Sequence, residues 1–209
     1  MKKFDIITEA DARVLAHGET VVLARGGHVT PLAQDTLAAR RVTVVREGQA
    51  SADATSLVPR ADIRSVAIAS DHTGIKLRRL LVAYLRGRAL AVNDLGTDGP
   101  DPVDYPDVAA AVARLVAVGE ADAGIVIDGA GIGSAIAANK IRGVRAVMAT
   151  TETIARYSRQ HNGANVLTLG ATLVDADQAR AIVAAWLESS IREPRYIARL
   201  AKIRDLEQP

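Results

Sequence analysis

From residue 65 onward, five short apolar runs alternate with five stretches of helical periodicity, and this alternation narrows the possible folds more than any other feature of the chain. The runs span residues 65–69, 89–95, 123–127, 144–149 and 165–169, and the helical stretches span 74–85, 106–118, 132–140, 151–160 and 175–188. Strands and helices alternating at this spacing predict an α/β fold with a parallel sheet, right-handed crossovers and helices on both faces. Ligands of such a sheet bind beyond the carboxyl ends of its strands.

The third run leads into the most informative junction. Gly124-Ile125-Val126-Ile127 reads as a strand buried on both faces, and Asp128-Gly129-Ala130-Gly131-Ile132-Gly133 follows as a tight glycine-rich turn into a helix. Backbone amides at such a turn can hold a phosphate or a developing oxyanion. Asp128, the last residue before the glycines, is either a misplaced charge or a catalytic base.

Composition removes several alternatives. The 209 residues suit one sizeable α/β domain with a small appendage. The 26 basic and 24 acidic residues are well mixed and aromatics are only 3%, so neither a basic stripe nor a stacking platform for nucleic acid is expected. With no cysteine, disulfides, thiolate metal sites and a thiol nucleophile are excluded. No apolar run approaches a membrane span, and Met1-Lys2-Lys3-Phe4-Asp5 is followed by acidic and polar residues where a secretory signal would be apolar, so a cytoplasmic protein without membrane contact is expected.

Residues 1–46 read as a small unit of their own. Thr8, with Asp11 three residues on, forms a short-armed capping box for a helix through Leu15; residues 20–23 form a strand, and Gly26-Gly27 turns the chain. Thr30 caps a second helix over 31–40 with Pro31 at its first position, and a further strand follows at 41–45. The unit holds too few large apolar residues for an independent core and is expected to dock on something. His17 and His28 read as exposed loop residues. The polar stretch 47–64 reads as a linker, leaving 65–209 as the main domain.

Further polar clusters lie at the expected strand and helix ends. In Ser70-Asp71-His72-Thr73-Gly74, an Asp and a His point into the same crevice as Asp128, or Asp71 caps a helix and His72 lies on the surface. Tyr105, between Asp104 and Pro106, covers a ligand or simply packs at a helix start. His161, in Arg159-Gln160-His161-Asn162, has a side chain suited to general acid work near neutrality, and a helix C-terminus also favours an imidazolium for structural reasons. Arg192, Arg195 and Arg199 are spaced to share one helical face, either solvated or clamping a phosphate.

Taken in order, Ser-Asp-His-x-Gly, Asp-Tyr-Pro-Asp, Gly-x-Gly-Ile-Gly with Ala-Ala-Asn-Lys, Arg-Gln-His-Asn-x-Ala-Asn-Val-Leu-x-Leu-Gly and a terminal Arg-x-x-x-Arg closely resemble the type B ribose-5-phosphate isomerase and galactose-6-phosphate isomerase family, over about residues 65–205. The resemblance implies a Rossmann-like three-layer sandwich with a five-stranded parallel sheet, preceded here by the small N-terminal extension. It implies a homodimer or higher homo-oligomer with sites at the subunit interface. Such an enzyme interconverts phosphorylated aldoses and ketoses through a cis-enediolate without metal or cofactor. On the matching positions, Asp71 and His72 would line the sugar and phosphate site, and Tyr105 would cover the substrate. Gly129, Ala130, Gly131 and Gly133 would supply amides to the enediolate. His161 would open the sugar ring, Asn162 would hold substrate hydroxyls, and Arg195 and Arg199 would grip the phosphate.

One position departs from the pattern. Much of the family has a proton-moving cysteine where this chain has Asp128, and another branch uses a glutamate where this chain has Ser134. An aspartate reaches one bond further than a thiol and is ionised at neutral pH without help, so Asp128 is the expected base. Two alternatives stand beside this: an isomerase shifted to a tetrose, deoxy-sugar or hexose phosphate, and a non-catalytic sugar-phosphate sensor. The Ile-Thr-Glu-Ala-Asp opening and Val-Thr-Pro-Leu-Ala stretch resemble a short segment of microcompartment-associated ethanolamine-utilisation proteins. That implies a docking or assembly role for residues 1–60, set against a purely structural extension.

Overall fold

The computed structural model describes residues 2–46, 57–99 and 101–207. The chain divides into two units, Met1–Thr55 and Ser56–Pro209. The first ten residues of the stretch read as a linker, 47–56, lie outside the described residues.

The N-terminal unit contains β1 (Lys3–Ile7), α1 (Glu9–Val14), β2 (Thr20–Val29), α2 (Pro31–Ala39) and β3 (Thr43–Arg46). Its three strands are parallel, in the order β1-β2-β3. The capping box is present: Asp11 N donates to Thr8 Oγ1 and Thr8 N donates to Asp11 Oδ2 at 2.8 Å. Thr30 occupies the N-cap of α2, but its side chain makes no capping bond. Two expectations are corrected. Gly26 and Gly27 do not turn the chain; β2 runs through them to Val29, and its pairing with β1 shifts register between Phe4 and Ile6. The glycines serve an irregularity in the ladder, with Gly26 at φ +82°, and His28 is therefore an exposed strand residue. The unit also builds its own core from Ile7, Ala12, Leu15, Val21, Leu23, Ala33 and Leu37. Small residues at Ala12 and Ala33 let α1 and α2 approach the sheet, so few large side chains suffice.

The second unit has five strands, β4 (Ser65–Ser70), β5 (Ala91–Asp94), β6 (Ala123–Asp128), β7 (Ala146–Met148) and β8 (Val166–Gly170). All are parallel, in the order β5-β4-β6-β8-β7. The helices are α3 (Ile75–Gly87), α4 (Tyr105–Ala117), α5 (Ile132–Ala138), α6 (Glu152–Asn162), α7 (Ala176–Leu187) and α8 (Pro194–Asp205). Alternate strand residues divide between two cores. Val66, Ile68, Ile125, Ile127, Leu167 and Leu169 face Leu81, Leu85, Ile182 and Trp186 of α3 and α7. Ala67, Ala69, Val126 and Val166 face Val108, Val112 and Ala138 of α4 and α5. This is the expected Rossmann-like three-layer sandwich.

From β4 the chain moves outward to β5 and then back across to β6, so the order reverses between β4 and β6. Open α/β sheets bind their ligands at such a reversal, beyond the carboxyl ends of the strands. Helices return from that edge to the opposite one, which places the last turn of α6 at the sheet's amino edge. Residues 57–64 run along the domain: Arg145 Nη2 donates to Leu57 O at 2.9 Å and Arg159 Nη2 to Arg60 O at 2.9 Å.

Candidate active site

The carboxyl ends of β4 and β6 bring two aspartates together, with Asp71 N donating to Ile127 O at 3.1 Å. Both side chains are almost enclosed, Asp71 at 6% exposure and Asp128 at 4%. Asp71 Oδ1 accepts from Thr73 N (2.9 Å), Thr73 Oγ1 (2.6 Å) and Gly74 N (3.2 Å). Its Oδ2 has no hydrogen-bond partner among the described residues. The neighbouring His72 is exposed and accepts from Val103 N through Nδ1 at 3.3 Å, which leaves the proton of the neutral ring on Nε2.

Asp128 is bonded on both oxygens. Oδ1 accepts from Ala130 N (2.8 Å) and from Gly131 N, and Oδ2 accepts from Ser134 N (3.0 Å) and from the Ser134 hydroxyl. Four donors fill the acceptor sites of one carboxylate. The loop is further pinned by Thr168 Oγ1, which donates to Gly131 O at 2.7 Å, and Thr172 Oγ1, which donates to Gly129 O at 2.7 Å. Gly131 sits at φ +75°, where a Cβ would fall 2.8 Å from the Leu169 carbonyl carbon, so only glycine fits. Tyr105, the first residue of α4, packs on Gly133.

The loop that delivers Tyr105 is anchored from below. Arg78, 1% exposed, donates from Nη1 to Asp94 and from Nη2 to Thr97 O (2.7 Å) and Asp98 Oδ1 (2.6 Å). Arg79 also bonds Asp98 and, with Arg78, holds that carboxyl below its ordinary range.

The remaining expected site residues lie elsewhere. His161 and Asn162 end α6 at the sheet's amino edge, whereas Asp128 is level with Gly170 at the carboxyl edge. Five-residue strands at ~3.3 Å per residue put about 15 Å of sheet between the two edges. His161 stacks against Tyr157 and Tyr196, with ring centroids 4.7 and 4.6 Å away. It also borders a cavity of about 310 Å³ with Gln160, Ser190, Arg192 and Tyr196. Arg195 and Arg199 share a face of α8, but Arg192 precedes that helix, so the three arginines do not form one helical face. Arg195 Nε is paired to Glu193 Oε2 at 2.6 Å, while Arg199 has no carboxylate partner among the described residues. One chain thus brings Asp71, His72, Tyr105, Asp128 and the glycine loop together, and gathers His161, Asn162, Arg195 and Arg199 separately.

Sequence reasoning did not find Arg78, the Ser134–Asp128 bond, Tyr157 or Tyr196. Tyr157 carried a signal, since it lies one helical turn before His161. Among the described residues, no group of three or more His, Asp and Glu side chains forms a metal-ligand set, and no helix is long and apolar enough to cross a membrane.

The sequence model of the Ribose/Galactose Isomerase family matches residues 66–203. The chain belongs to the ribose/galactose isomerase family. It is 42% identical over 146 residues to ribose-5-phosphate isomerase B of Escherichia coli strain K12, covering 70% of this chain and 98% of that protein. It is 35% identical over 141 residues to the D-erythrulose-4-phosphate isomerase of Pectobacterium atrosepticum, covering 66% of this chain and 92% of that one. The solved structure of ribose-5-phosphate isomerase B from Clostridium thermocellum superposes with a TM-score of 0.67 at 45% identity, over 68% of this chain and 97% of that chain. Family membership makes this chain an enzyme of the sugar-phosphate isomerase type, and the matched region begins at β4, so the family core is the second unit.

Proposed function

We propose that the chain interconverts ribose 5-phosphate and ribulose 5-phosphate, or a related aldose–ketose phosphate pair, by proton transfer through a cis-enediolate with Asp128 as base. The observation that carries this reading is the enclosed Asp128 carboxylate at the end of β6, inside a glycine loop of an isomerase-family fold. In the forward direction Asp128 takes the C2 proton of the open-chain aldose as negative charge develops on O1, the O2 hydroxyl proton passes to O1, and Asp128 returns its proton to C1 as the C2 carbonyl forms. A carboxylate held by four donors needs one of them to yield as it takes a proton. The backbone amides can only donate, but the Ser134 hydroxyl can rotate and accept the new Oδ2–H. The Ser134 contact therefore allows Asp128 to cycle between base and acid without leaving the loop.

His72 presents Nε2–H at the mouth of the same crevice, the free Oδ2 of Asp71 suits a substrate hydroxyl, and Tyr105 covers the loop. His161 is the proposed ring-opening acid, with Asn162 beside it and Arg195 and Arg199 for the phosphate. Because these four lie at the opposite edge, the reading requires a second copy of the chain, so that each site joins the carboxyl edge of one protomer to the amino edge of its partner. Ile132 and Ile136, 52% and 59% exposed one turn apart on α5, give that contact an apolar surface beside the crevice.

Asp128→Asn is expected to abolish isomerisation, with a loss of about a thousandfold or more, while sugar-phosphate binding by calorimetry persists. An active Asn variant overturns the mechanism. The D-erythrulose-4-phosphate isomerase relative favours tetrose phosphates as the second substrate class, and a panel of tetrose, pentose and hexose phosphates separates the two.

A further inference from the structure

His161 is stacked between two tyrosines. Tyr157 and His161 lie 4.7 Å apart with 24° between their planes, and His161 and Tyr196 lie 4.6 Å apart with 31° between theirs. Two rings so nearly parallel to the imidazole, at such distances, cannot share one of its faces. Both faces are therefore covered, and only the ring edge, with its nitrogens, is open to a ligand. Neither nitrogen has a hydrogen-bond partner among the described residues.

The two tyrosines come from different elements. Tyr157 is one turn before His161 on α6, so its contact follows from helical spacing. Tyr196 comes from the first turn of α8 and also touches both arginines, with the Arg195 guanidinium 4.7 Å and that of Arg199 5.4 Å from its ring centroid. Arg195 Nη2 also donates to Tyr196 Oη at 3.0 Å. A single aromatic ring therefore contacts the imidazole and the two cations that the phosphate would meet.

We propose that Tyr196, with Tyr157 behind the imidazole, is a positioning residue that sets the plane of His161 relative to Arg195 and Arg199, and so favours substrates that enter as a closed ring with the phosphate one carbon outside it. The proposal rests on the reading of His161 as ring-opening acid. Opening such a hemiacetal breaks the bond between C1 and the ring oxygen. The ring oxygen takes the proton held by His161, and the C1 hydroxyl releases its own proton to water as the carbonyl forms. An imidazole free to tip out of plane meets the ring oxygen less often, which costs rate rather than binding.

The test uses two reactions of the full-length protein. Isomerisation of ribose 5-phosphate needs ring opening. Exchange of the C1 hydrogen of ribulose 5-phosphate with D2O does not, because its O5 is phosphorylated and cannot close a five-membered ring. Tyr157→Leu and Tyr196→Leu are expected to lower kcat for isomerisation about tenfold or more while saturated exchange stays within about twofold of wild type. KM for ribose 5-phosphate rises in Tyr196→Leu alone, since only Tyr196 touches the arginines. Tyr157→Phe and Tyr196→Phe keep the ring faces and retain both activities. Equal losses in the two assays, or Leu variants at the wild-type rate, overturn the proposal. His161→Asn separates the underlying reading: if it isomerises ribose 5-phosphate normally, the acid assignment fails, whereas a dead His161→Asn beside active Leu variants removes only the positioning role.

Discussion

Tyr105 packs directly on Gly133: a Cβ on Gly133 would lie 2.5 Å from Tyr105 Cε2 and 2.6 Å from its Cζ. The ring is 42% exposed and has solvent to move into. Gly133→Ala is therefore expected to cost less than about 1 kcal/mol of stability, because the ring swings aside. With Tyr105 as the proposed substrate cover, the same swing should raise KM several-fold with little change in kcat. Thermal unfolding run beside steady-state kinetics checks both; a fall in Tm with unchanged KM would contradict the role given to Tyr105.

Ser134 is fully buried and gives both its amide and its hydroxyl to Asp128. Ser134→Ala keeps the amide bond and loses the only partner able to reverse its hydrogen bond. The expected result is a stability loss of about 1–2 kcal/mol and a kcat reduced about tenfold or more. Exchange of the ribulose 5-phosphate C1 hydrogen should fall in parallel, since with Asp128 as the proposed base the defect lies in proton transfer.

Arg159 is 1% exposed and has no carboxylate partner among the described residues; its guanidinium donates to the carbonyls of Ala164 (2.8 Å), Ser189 (3.3 Å) and Arg60 (2.9 Å), and lies over Trp186. Burial, with Arg145 nearby, lowers its pKa to about 10, still charged at neutrality. Arg159→Met leaves three carbonyls without this donor and should cost about 2–4 kcal/mol, read as a lower urea midpoint at unchanged slope. A chain truncated to begin at residue 65 loses the Arg60 contact and should be less stable than one beginning at residue 56.

Asp122 accepts from Arg64 N (2.9 Å), Ser65 N (2.9 Å) and Ser65 Oγ (3.0 Å), with Arg60 Nη1 at 3.3 Å. Burial opposes its charge, but these bonds outweigh that and hold the carboxyl below its ordinary range. A depressed folded pKa gives stability that is complete above the unfolded value near 4 and lost as pH falls through the lower folded value. Asp122→Ala should therefore be less stable than wild type at pH 7, and the gap should close only below about pH 4. A constant gap down to pH 2.5 would show that the carboxylate charge is not what matters.

Much of the second unit was legible in the sequence because its strands are filled from both sides. Ile125, Ile127 and Val126 must be apolar whichever face they meet, so the run shows without any knowledge of its neighbours. In the N-terminal unit the signal failed where pairing decided the outcome. Nothing local to Gly26 and Gly27 distinguishes a turn from a ladder irregularity, because the difference lies in β1, some twenty residues earlier. β1 itself, with one buried residue, has too little pattern to be seen. In the site, Asp128 could be placed at a strand end from sequence, but its bonds to Ala130, Gly131 and Ser134 depend on loop dihedrals that residue types do not fix. The separation of His161 from Asp128 was implicit in the alternation of strands and helices, since a helix end faces the edge opposite to a strand end.

That separation has a genetic consequence. If each site joins the carboxyl edge of one protomer to the amino edge of its partner, as proposed, lesions at the two edges damage different halves of a site and should fall into two complementation groups. Equal amounts of Asp128→Asn and His161→Asn chains, unfolded together and refolded, would form mixed dimers in which one of the two sites is built wholly from intact residues. Such a mixture should recover on the order of a quarter of wild-type activity, although neither chain alone has any. Two lesions at the same edge should never rescue each other, and activity would then be a property held between chains.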